Sequence, residues 1–453
     1  MQNLTLFEKL NLWIRNSITI KLLSIGILIL IMLIPTNMIE SLISERQYTR
    51  EAAINEVSSK WGEAQTVTGP ILTVPFYTYH TEVKDEKRTI IKVKEYAHFL
   101  PDKIKVEGKV NPEIRYRGIY EVVLYNSILN FSGKFSSPDL SDWKIEEKNI
   151  LWDDAFVSLG IPDMRGIKEK IVLNWSNEKV SFKPGTGNLK IIGAGLHTKV
   201  NIKKTDSIKS SYPFNFSLNL NGSKSLNFIP VGKETLVELE SDWDNPSFNG
   251  AFLPNERSIT KDGFTAKWKV FDLNRNYPQK WRSTVTAPNF YASSFGFDLR
   301  LPVDQYQKSI RSAKYGVMFI VLTFLIFFFV EIKNKKRIHP FQYILVGLAV
   351  SIFYTLLLAL SEHIGFNLAY LAAAFGIITL ITTYSISIFK DKRLSSIMFG
   401  ILVILFIFMF TIIQMQDYAL LMGSIGIFIV LAIVMYLSKN IDWYASSEKK
   451  ELE

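Results

Sequence analysis

Long apolar runs divide the chain into two kinds of sequence. A membrane-spanning helix needs about 20 consecutive, mostly apolar residues. Six segments meet this requirement, at about 18–38, 316–333, 342–361, 366–389, 396–414 and 418–438. The pattern predicts one transmembrane helix before a long mixed segment and five after it. A cleaved signal peptide at 18–38 is the alternative, but no A-x-A-like site follows it, so we expect an uncleaved helix.

The mixed segment between the first two spans has the pattern of a β domain. Runs rich in Val, Ile, Phe and Tyr, such as ILTVPFYTY (71–79) and GFTAKWKVFDL (263–273), alternate with turn residues. No fixed-period repeat is visible, which argues against a propeller or a β-helix. We predict an α+β membrane protein with a large antiparallel, sandwich-like external β domain and six transmembrane helices. A subdomain boundary is predicted near 181–190.

Helical patterns flank this domain and set its predicted limits. Residues 41–60 and 303–315 have mostly helical spacing of apolar positions, so both are predicted to be helical stalks. The external domain with its stalks then covers 39–315, and 1–17 and 439–453 are the chain termini. Because both stalks enter the bilayer, we expect them to lie side by side.

Basic residues in the short loops predict the orientation. EIKNKKR (331–337) and KDKR (390–393) are rich in Lys and Arg, whereas SEHIGF (361–366) and QMQDY (414–418) contain neither. Short basic loops stay in the cytoplasm. The pattern therefore predicts that both termini are cytoplasmic and that residues 39–315 lie on the other side of the membrane.

Charge and cysteine content exclude several classes of function. The net charge is +10, but residues 40–313 carry 38 Lys and Arg against 33 Asp and Glu, without a concentrated basic stretch. Nucleic-acid binding is therefore not expected. The chain has no cysteine, which excludes disulfides and thiolate metal sites. Spans three to six have no charged residue in their interiors, which argues against ion-coupled transport.

Two clusters of charged residues in the external segment are candidate binding sites. Asp163 and Arg165 lie in SLGIPDMRGIKE (158–169), where they form either an anion site or an ion pair that holds a turn. Arg115 and Arg117 lie at the start of a predicted strand, and with Glu121 they are expected to share one face of it. For both clusters the structural role is the simpler interpretation.

The stretch SDWDNPSFNGAFLP (241–254) is the third candidate. Asp242 and Asp244 flank Trp243, and Phe248 follows a DNP turn. The spacing differs from that of an EF-hand loop. A turn with an aromatic anchor is one interpretation; glycan or peptide binding through Trp243 and Phe248 is the other.

Catalytic and cofactor signals are absent from the sequence. The external histidines, His80, His98 and His197, have no partner at metal-ligand spacing, and no nucleophile elbow or phosphate-binding loop is present. We predict no catalytic residues, no metal and no cofactor.

Several segments together resemble the CreD family of bacterial inner-membrane proteins. They include GPILTVPF (69–76), IPDMRGI (161–167), FIPVGKETLVELESDWDNPSFNGAFLP (228–254) and GFTAKWKVFDLNRNYPQKW (263–281), in this order along the chain. The resemblance implies an inner-membrane protein with a large periplasmic domain, tied to envelope stress and commonly controlled by a two-component sensor system. It supplies no catalytic residues.

Three hypotheses for the function remain open at this point. The first is a protein of cell-envelope integrity and stress response. Besides the lipid bilayer, its periplasmic domain would bind peptidoglycan, lipid or another periplasmic or inner-membrane protein. The second is a transporter or lipid-handling protein that uses the five C-terminal spans. The third is a metal-dependent periplasmic hydrolase that uses Asp163, Asp242 or Asp244.

Overall fold

The computed structural model describes residues 18–84, 87–187, 192–202, 211–284, 288–301, 305–334, 336–415 and 418–439. The predicted terminal segment 1–17, residues 440–453 of the other terminal segment, and residues 188–190 of the predicted subdomain boundary lie outside these ranges. The chain forms two compact units. We call residues 51–302 the β unit, and residues 1–50 with 303–453 the helical unit.

The described part of the β unit contains seventeen strands. They are β1 (Gln65–Lys84), β2 (Lys87–Phe99), β3 (Lys103–Arg117), β4 (Tyr120–Ser136), β5 (Phe156–Gly160), β6 (Val172–Trp175), β7 (Glu178–Ser181), β8 (Lys183–Pro184), β9 (Gly195–Lys199), β10 (Ser211–Ser223), β11 (Ser225–Phe228), β12 (Glu234–Ser241), β13 (Pro246–Gly250), β14 (Glu256–Thr260), β15 (Gly263–Phe271), β16 (Lys280–Arg282) and β17 (Phe295–Leu299).

These strands form two sheets. A nine-stranded sheet has the order β13-β17-β11-β1-β5-β9-β8, with β2 pairing β1 and β16; an eight-stranded sheet has the order β14-β15-β12-β3-β4-β10-β6-β7. Most neighbours are antiparallel, but β1 pairs with β11 and β3 with β12 in parallel. The predicted β-rich domain is therefore confirmed, with two mixed sheets in place of purely antiparallel ones.

The hydrophobic core of the β unit follows from alternating side chains on its strands. In β10, Phe214, Phe216, Leu218 and Leu220 are buried, and the residues between them point away from the core. Phe216 stacks on Phe131 of the neighbouring β4, with ring centroids 4.6 Å apart. Buried apolar side chains from both sheets belong to one continuous cluster. A single core between two sheets is the arrangement of a sandwich.

The helical unit contains the six predicted apolar helices. The helices are α1 (Ile18–Trp61, which continues into the β unit), α2 (Gln305–Lys314), α3 (Gly316–Lys333), α4 (Pro340–Ile364), α5 (Phe366–Phe389), α6 (Lys392–Gln414) and α7 (Ala419–Ser438). All except the short α2 are long and apolar enough to cross a membrane. Residues 41–60 belong to α1, so this predicted stalk is helical, and α2 covers most of the other one.

Two carboxylates hold the helical unit together near the ends of its helices. Glu331 accepts hydrogen bonds from Lys21 Nζ at 2.8 Å and from the Tyr343 hydroxyl at 2.9 Å. Glu362 accepts bonds from Arg46 Nε at 2.8 Å and from the Tyr306 hydroxyl at 2.7 Å. Glu362 thus joins α1, α2 and α4. The Arg50 guanidinium lies 5.8 Å from the centre of the Tyr306 ring, so the beginning of α2 lies beside residues 46–50 of α1.

Candidate functional site

The outer face of the eight-stranded sheet carries an unusual row of amide side chains. Asn130 of β4, Asn174 of β6, and Asn215 and Asn219 of β10 stand on this face, because the residues that alternate with them fill the core. The strands are in register there: Asn215 pairs with Ser132 of β4 and with Asn174 of β6. Asn is depleted in strands because its side chain competes with the backbone for hydrogen bonds. Its accumulation on three adjacent strands therefore has no explanation in strand propensity.

These side chains line a groove of about 420 Å³, which we call the polar groove. The residues that line it are Glu107, Asn130, Phe131, Ser132, Glu169, Lys170, Val172, Asn174, Asn215, Phe216, Ser217 and Asn219. Its volume lies within the usual range of small-molecule sites, about 300–1,000 Å³. A larger concavity of about 670 Å³ is lined by α1 alone, from Asn37 to Thr49. It is an open side of one helix, whereas the polar groove is formed by several elements.

A turn at Asp163 positions one wall of the polar groove. The Asp163 carboxylate accepts hydrogen bonds from the backbone N–H of Glu63 at 2.8 Å, from the Arg165 backbone N–H at 3.1 Å and from Arg165 Nε at 2.8 Å. Burial raises the pKa of Asp163, but the bonds from Arg165 and Glu63 outweigh it, so the pKa lies below its ordinary value. Of the two roles predicted for this pair, the structure supports the turn-forming ion pair.

The chain after this turn lies directly against β10. A Cβ atom built on Gly166 would lie 2.2 Å from the backbone oxygen of Asn221, so only glycine allows this close approach. The backbone N–H of Lys168 donates to the Asn219 oxygen at 3.1 Å. Asn219 Nδ2 in turn donates to Glu169 Oε1 at 3.2 Å. The segment therefore brings Glu169 and Lys170 to the edge of the groove.

Arg115 and Arg117 both contact side chains at the end of α1. The Arg115 guanidinium lies 4.1 Å from the Trp61 ring centre, and Trp61 Nε1 donates to the Tyr125 carbonyl at 3.2 Å. Arg117 makes two bonds to the Glu56 carboxylate, each of 3.2 Å. Both arginines thus contact the last turns of the helix, close to the Asp163 turn, which is bonded to Glu63.

The predicted common face of Arg115, Arg117 and Glu121 is wrong. The chain turns back after Arg117, so Glu121 belongs to β4 and pairs with Tyr116 across the hairpin. Cross-strand partners share a face, which places Glu121 opposite to the two arginines. The Tyr116 hydroxyl donates to Glu121 at 3.2 Å.

The stretch 241–254 forms a connection between the two sheets. Trp243 Nε1 donates to the backbone oxygen of Asn245 at 3.1 Å, which closes the bend between β12 and β13. Phe248 packs edge-on against Trp268, with ring centroids 5.7 Å apart. Asp242 and Asp244 are exposed. Within the described residues no bond or ring contact joins this stretch to the polar groove, and its geometry is that of a turn with aromatic anchors.

The three histidines of the β unit lie in different surroundings. His98 is buried, lies 3.0 Å from Thr73 Oγ1, and burial lowers its pKa to about 3. His80 is near Glu95 at 3.4 Å, and His197 Nδ1 is 2.6 Å from the Gly185 oxygen. Across the described ranges, no three His, Asp or Glu side chains come together in the manner of metal ligands.

Sequence reasoning missed the groove residues and the carboxylates at the helix ends. The signal for the groove was the repeated Asn and Ser in SYPFNFSLNLNGS, where they alternate with core residues. For Glu331 and Glu362 the signal was an acid at the end of an apolar run, but the partners Lys21 and Arg46 are about 300 residues away in sequence.

Fold and site together define a class: a membrane protein with six helices of spanning length and a two-sheet β unit that carries a polar groove. The family model described as inner membrane protein CreD matches residues 17–444. Among curated proteins, inner membrane protein CreD of Escherichia coli (strain K12) is 32% identical over 423 residues, which is 93% of this chain and 93% of that protein. The chain belongs to the CreD family, which confirms the resemblance noted in its sequence.

Proposed function

We propose that this chain is a membrane-anchored binding protein that supports the integrity of the cell envelope and its response to stress. In this proposal the polar groove of the β unit holds an envelope component, and the helical unit anchors the protein. The observation that carries the proposal is the groove itself. It is a concave, hydrogen-bonding surface on the rigid strands of a sheet, and strand-borne sites hold their side chains precisely.

The distribution of basic loop residues supports a periplasmic position for the β unit. Lys333 is the last residue of α3, and Lys336 and Arg337 follow it. Lys390 follows α5, and Lys392 and Arg393 are the first residues of α6. With six spans, the positive-inside rule then places both termini in the cytoplasm and the β unit in the periplasm. The family description as an inner membrane protein agrees with the membrane location on which this reasoning depends.

Binding is better supported than catalysis or transport. The acids that a hydrolase would use do not converge, because Asp163 is bonded within its turn whereas Asp242 and Asp244 lie on a separate exposed bend. The membrane-side acids Glu331 and Glu362 are each bonded to a basic and a tyrosine partner, which is a structural arrangement.

A complementation experiment tests the proposal. A strain lacking the gene is challenged with an envelope stress and given wild-type protein, the groove variant Asn130→Ala/Ser132→Ala/Ser217→Ala, or the control Ser258→Ala/Thr265→Ala. The control residues are exposed polar side chains of β14 and β15 in the same sheet. At equal membrane levels, the control should restore resistance and the groove variant should not. Full restoration by the groove variant would overturn the proposal.

A further inference from the structure

We propose that the polar groove binds a neutral, hydroxyl-rich glycan chain. This inference rests on the proposed binding function and names the chemical class of the ligand. Three properties of the groove carry it: unused hydrogen-bonding groups, balanced charge, and a mainly polar surface.

The groove presents side chains that have hydrogen-bonding capacity left for a ligand. Some of its amides bond one another: Asn174 Nδ2 donates to Asn215 Oδ1 at 2.6 Å. Within the described ranges, the side chains of Asn130, Ser132 and Ser217 make no hydrogen bond, and all three are exposed. An amide offers two donors and one acceptor with two lone pairs, and a hydroxyl offers both roles. Such a set matches a ligand whose own groups are hydroxyls that both donate and accept.

The charge distribution on this face of the sheet differs between the groove and the surface beside it. On β3, β12, β14 and β15, lysines and glutamates alternate across strands. Lys267, for example, lies 4.0 Å from Glu238 and 3.7 Å from Glu256. In the groove, Glu107 is bonded to Lys105 at 2.6 Å, and Glu169 lies in the same wall as Lys170. A near-neutral site favours a neutral ligand over an anionic polymer such as nucleic acid or a teichoic-type chain.

The groove has too little apolar surface for a lipid tail. Among the lining residues, Phe131 and Phe216 are buried in the core, and Val172 is the one exposed large apolar side chain. Sites for drug-like or lipid ligands are mainly apolar and gain their affinity by removing that surface from water. Amides and hydroxyls on adjacent strands instead form a grid of hydrogen-bonding groups, with strands about 4.8 Å apart and same-face residues about 7 Å apart. A polymer with repeated hydroxyl groups can engage several points of such a grid at once.

The test uses the full-length protein in lipid nanodiscs, since maltoside detergents would compete as sugars. Binding of the neutral tetrasaccharides of N-acetylglucosamine and of glucose (β-1,4-linked) is measured by calorimetry, beside an anionic tetragalacturonate. We expect saturable binding of a neutral tetrasaccharide that changes little between about 0.05 and 0.5 M salt, because no net charge is paired. Asn130→Ala and Ser217→Ala should each weaken it by about two- to tenfold. The controls Ser258→Ala and Thr265→Ala should leave it unchanged.

Three outcomes would overturn the glycan assignment. They are no saturable binding of either neutral tetrasaccharide, stronger binding of tetragalacturonate, and neutral binding that the groove variants do not weaken. Preference for the acetylated over the plain glucose chain, or the reverse, supports the assignment and identifies the source of the glycan. If the glycan assays fail while the groove variant still loses complementation, the proposed binding function stands and the ligand class is wrong. If complementation is intact as well, both proposals fail.

Discussion

The replacement Asp163→Asn tests how the wall of the polar groove is held. The substitution keeps the size and shape of the side chain, but it removes the charge and turns one acceptor oxygen into a donor. In the wild-type protein, Oδ2 accepts a hydrogen bond from the backbone N–H of Glu63 at 2.8 Å, and Oδ1 accepts one from Arg165 Nε at 2.8 Å. An asparagine can keep one of these acceptors and places an N–H group against the other donor.

The expected destabilisation is about 2–3 kcal/mol. Loss of one hydrogen bond between a backbone donor and a charged acceptor accounts for about 1.5–2 kcal/mol. The ion pair adds at most about 1 kcal/mol, because the Arg165 side chain is 55% exposed and water screens it. For a domain of this size, each kcal/mol of lost unfolding free energy lowers the melting temperature by about 2–4 °C, so Tm should fall by about 5–10 °C.

The destabilisation should depend on pH in a defined direction. The pKa of Asp163 is lowered in the folded protein, because the bonds from Arg165 and Glu63 outweigh the effect of burial. Its stabilisation is therefore complete above the unfolded pKa of about 3.9 and is lost as pH falls through the folded pKa. The Tm difference between wild type and variant should stay constant from about pH 7 to about pH 5 and shrink below about pH 4. The buried His98 also destabilises the fold in acid, but it is present in both proteins and cancels in the difference.

The measurement is thermal unfolding of the purified full-length protein, followed by tryptophan fluorescence. Asp242→Asn is the matched control, because Asp242 is an exposed aspartate in the same β unit, and its effect should stay within about 0.5 kcal/mol. Two results would refute the reasoning: Asp163→Asn as mild as the control at neutral pH, or a Tm difference that does not shrink in acid.

Three further predictions concern other parts of the chain. Removing either Lys21 or Glu331 alone should destabilise the protein more than Lys21→Met together with Glu331→Leu, because a single change leaves a charge unpaired beside apolar helices. A double-mutant cycle of thermal stability in nanodiscs measures the coupling energy of the pair. Additive effects of the two substitutions would contradict the prediction. Trp61→Phe should cost about 1 kcal/mol by removing the bond to the Tyr125 carbonyl, and an unchanged Tm would contradict this. Reporter fusions after residue 439 should be active only as cytoplasmic reporters, and activity of a periplasmic reporter there would refute the orientation.

Much of the architecture was determined by the sequence alone. An apolar run of about 20 residues has essentially one stable arrangement in a bilayer, since a helix satisfies its own backbone hydrogen bonds. All six runs accordingly form helices. The alternation in β10 likewise determined which of its side chains face the core, because successive side chains of a strand point to opposite faces.

Only the tertiary structure decided how distant residues meet. The polar groove combines Asn130, Asn174 and Asn215, which lie on three strands far apart in sequence, and their neighbourhood is set by strand order and register. Glu121 lies opposite to Arg115 because a two-residue hairpin turn intervenes, and the local signal for that turn is Gly118, which has a φ of 62°. Local pattern determines which face a side chain occupies; long-range strand pairing determines its neighbours, and a binding site is made of neighbours.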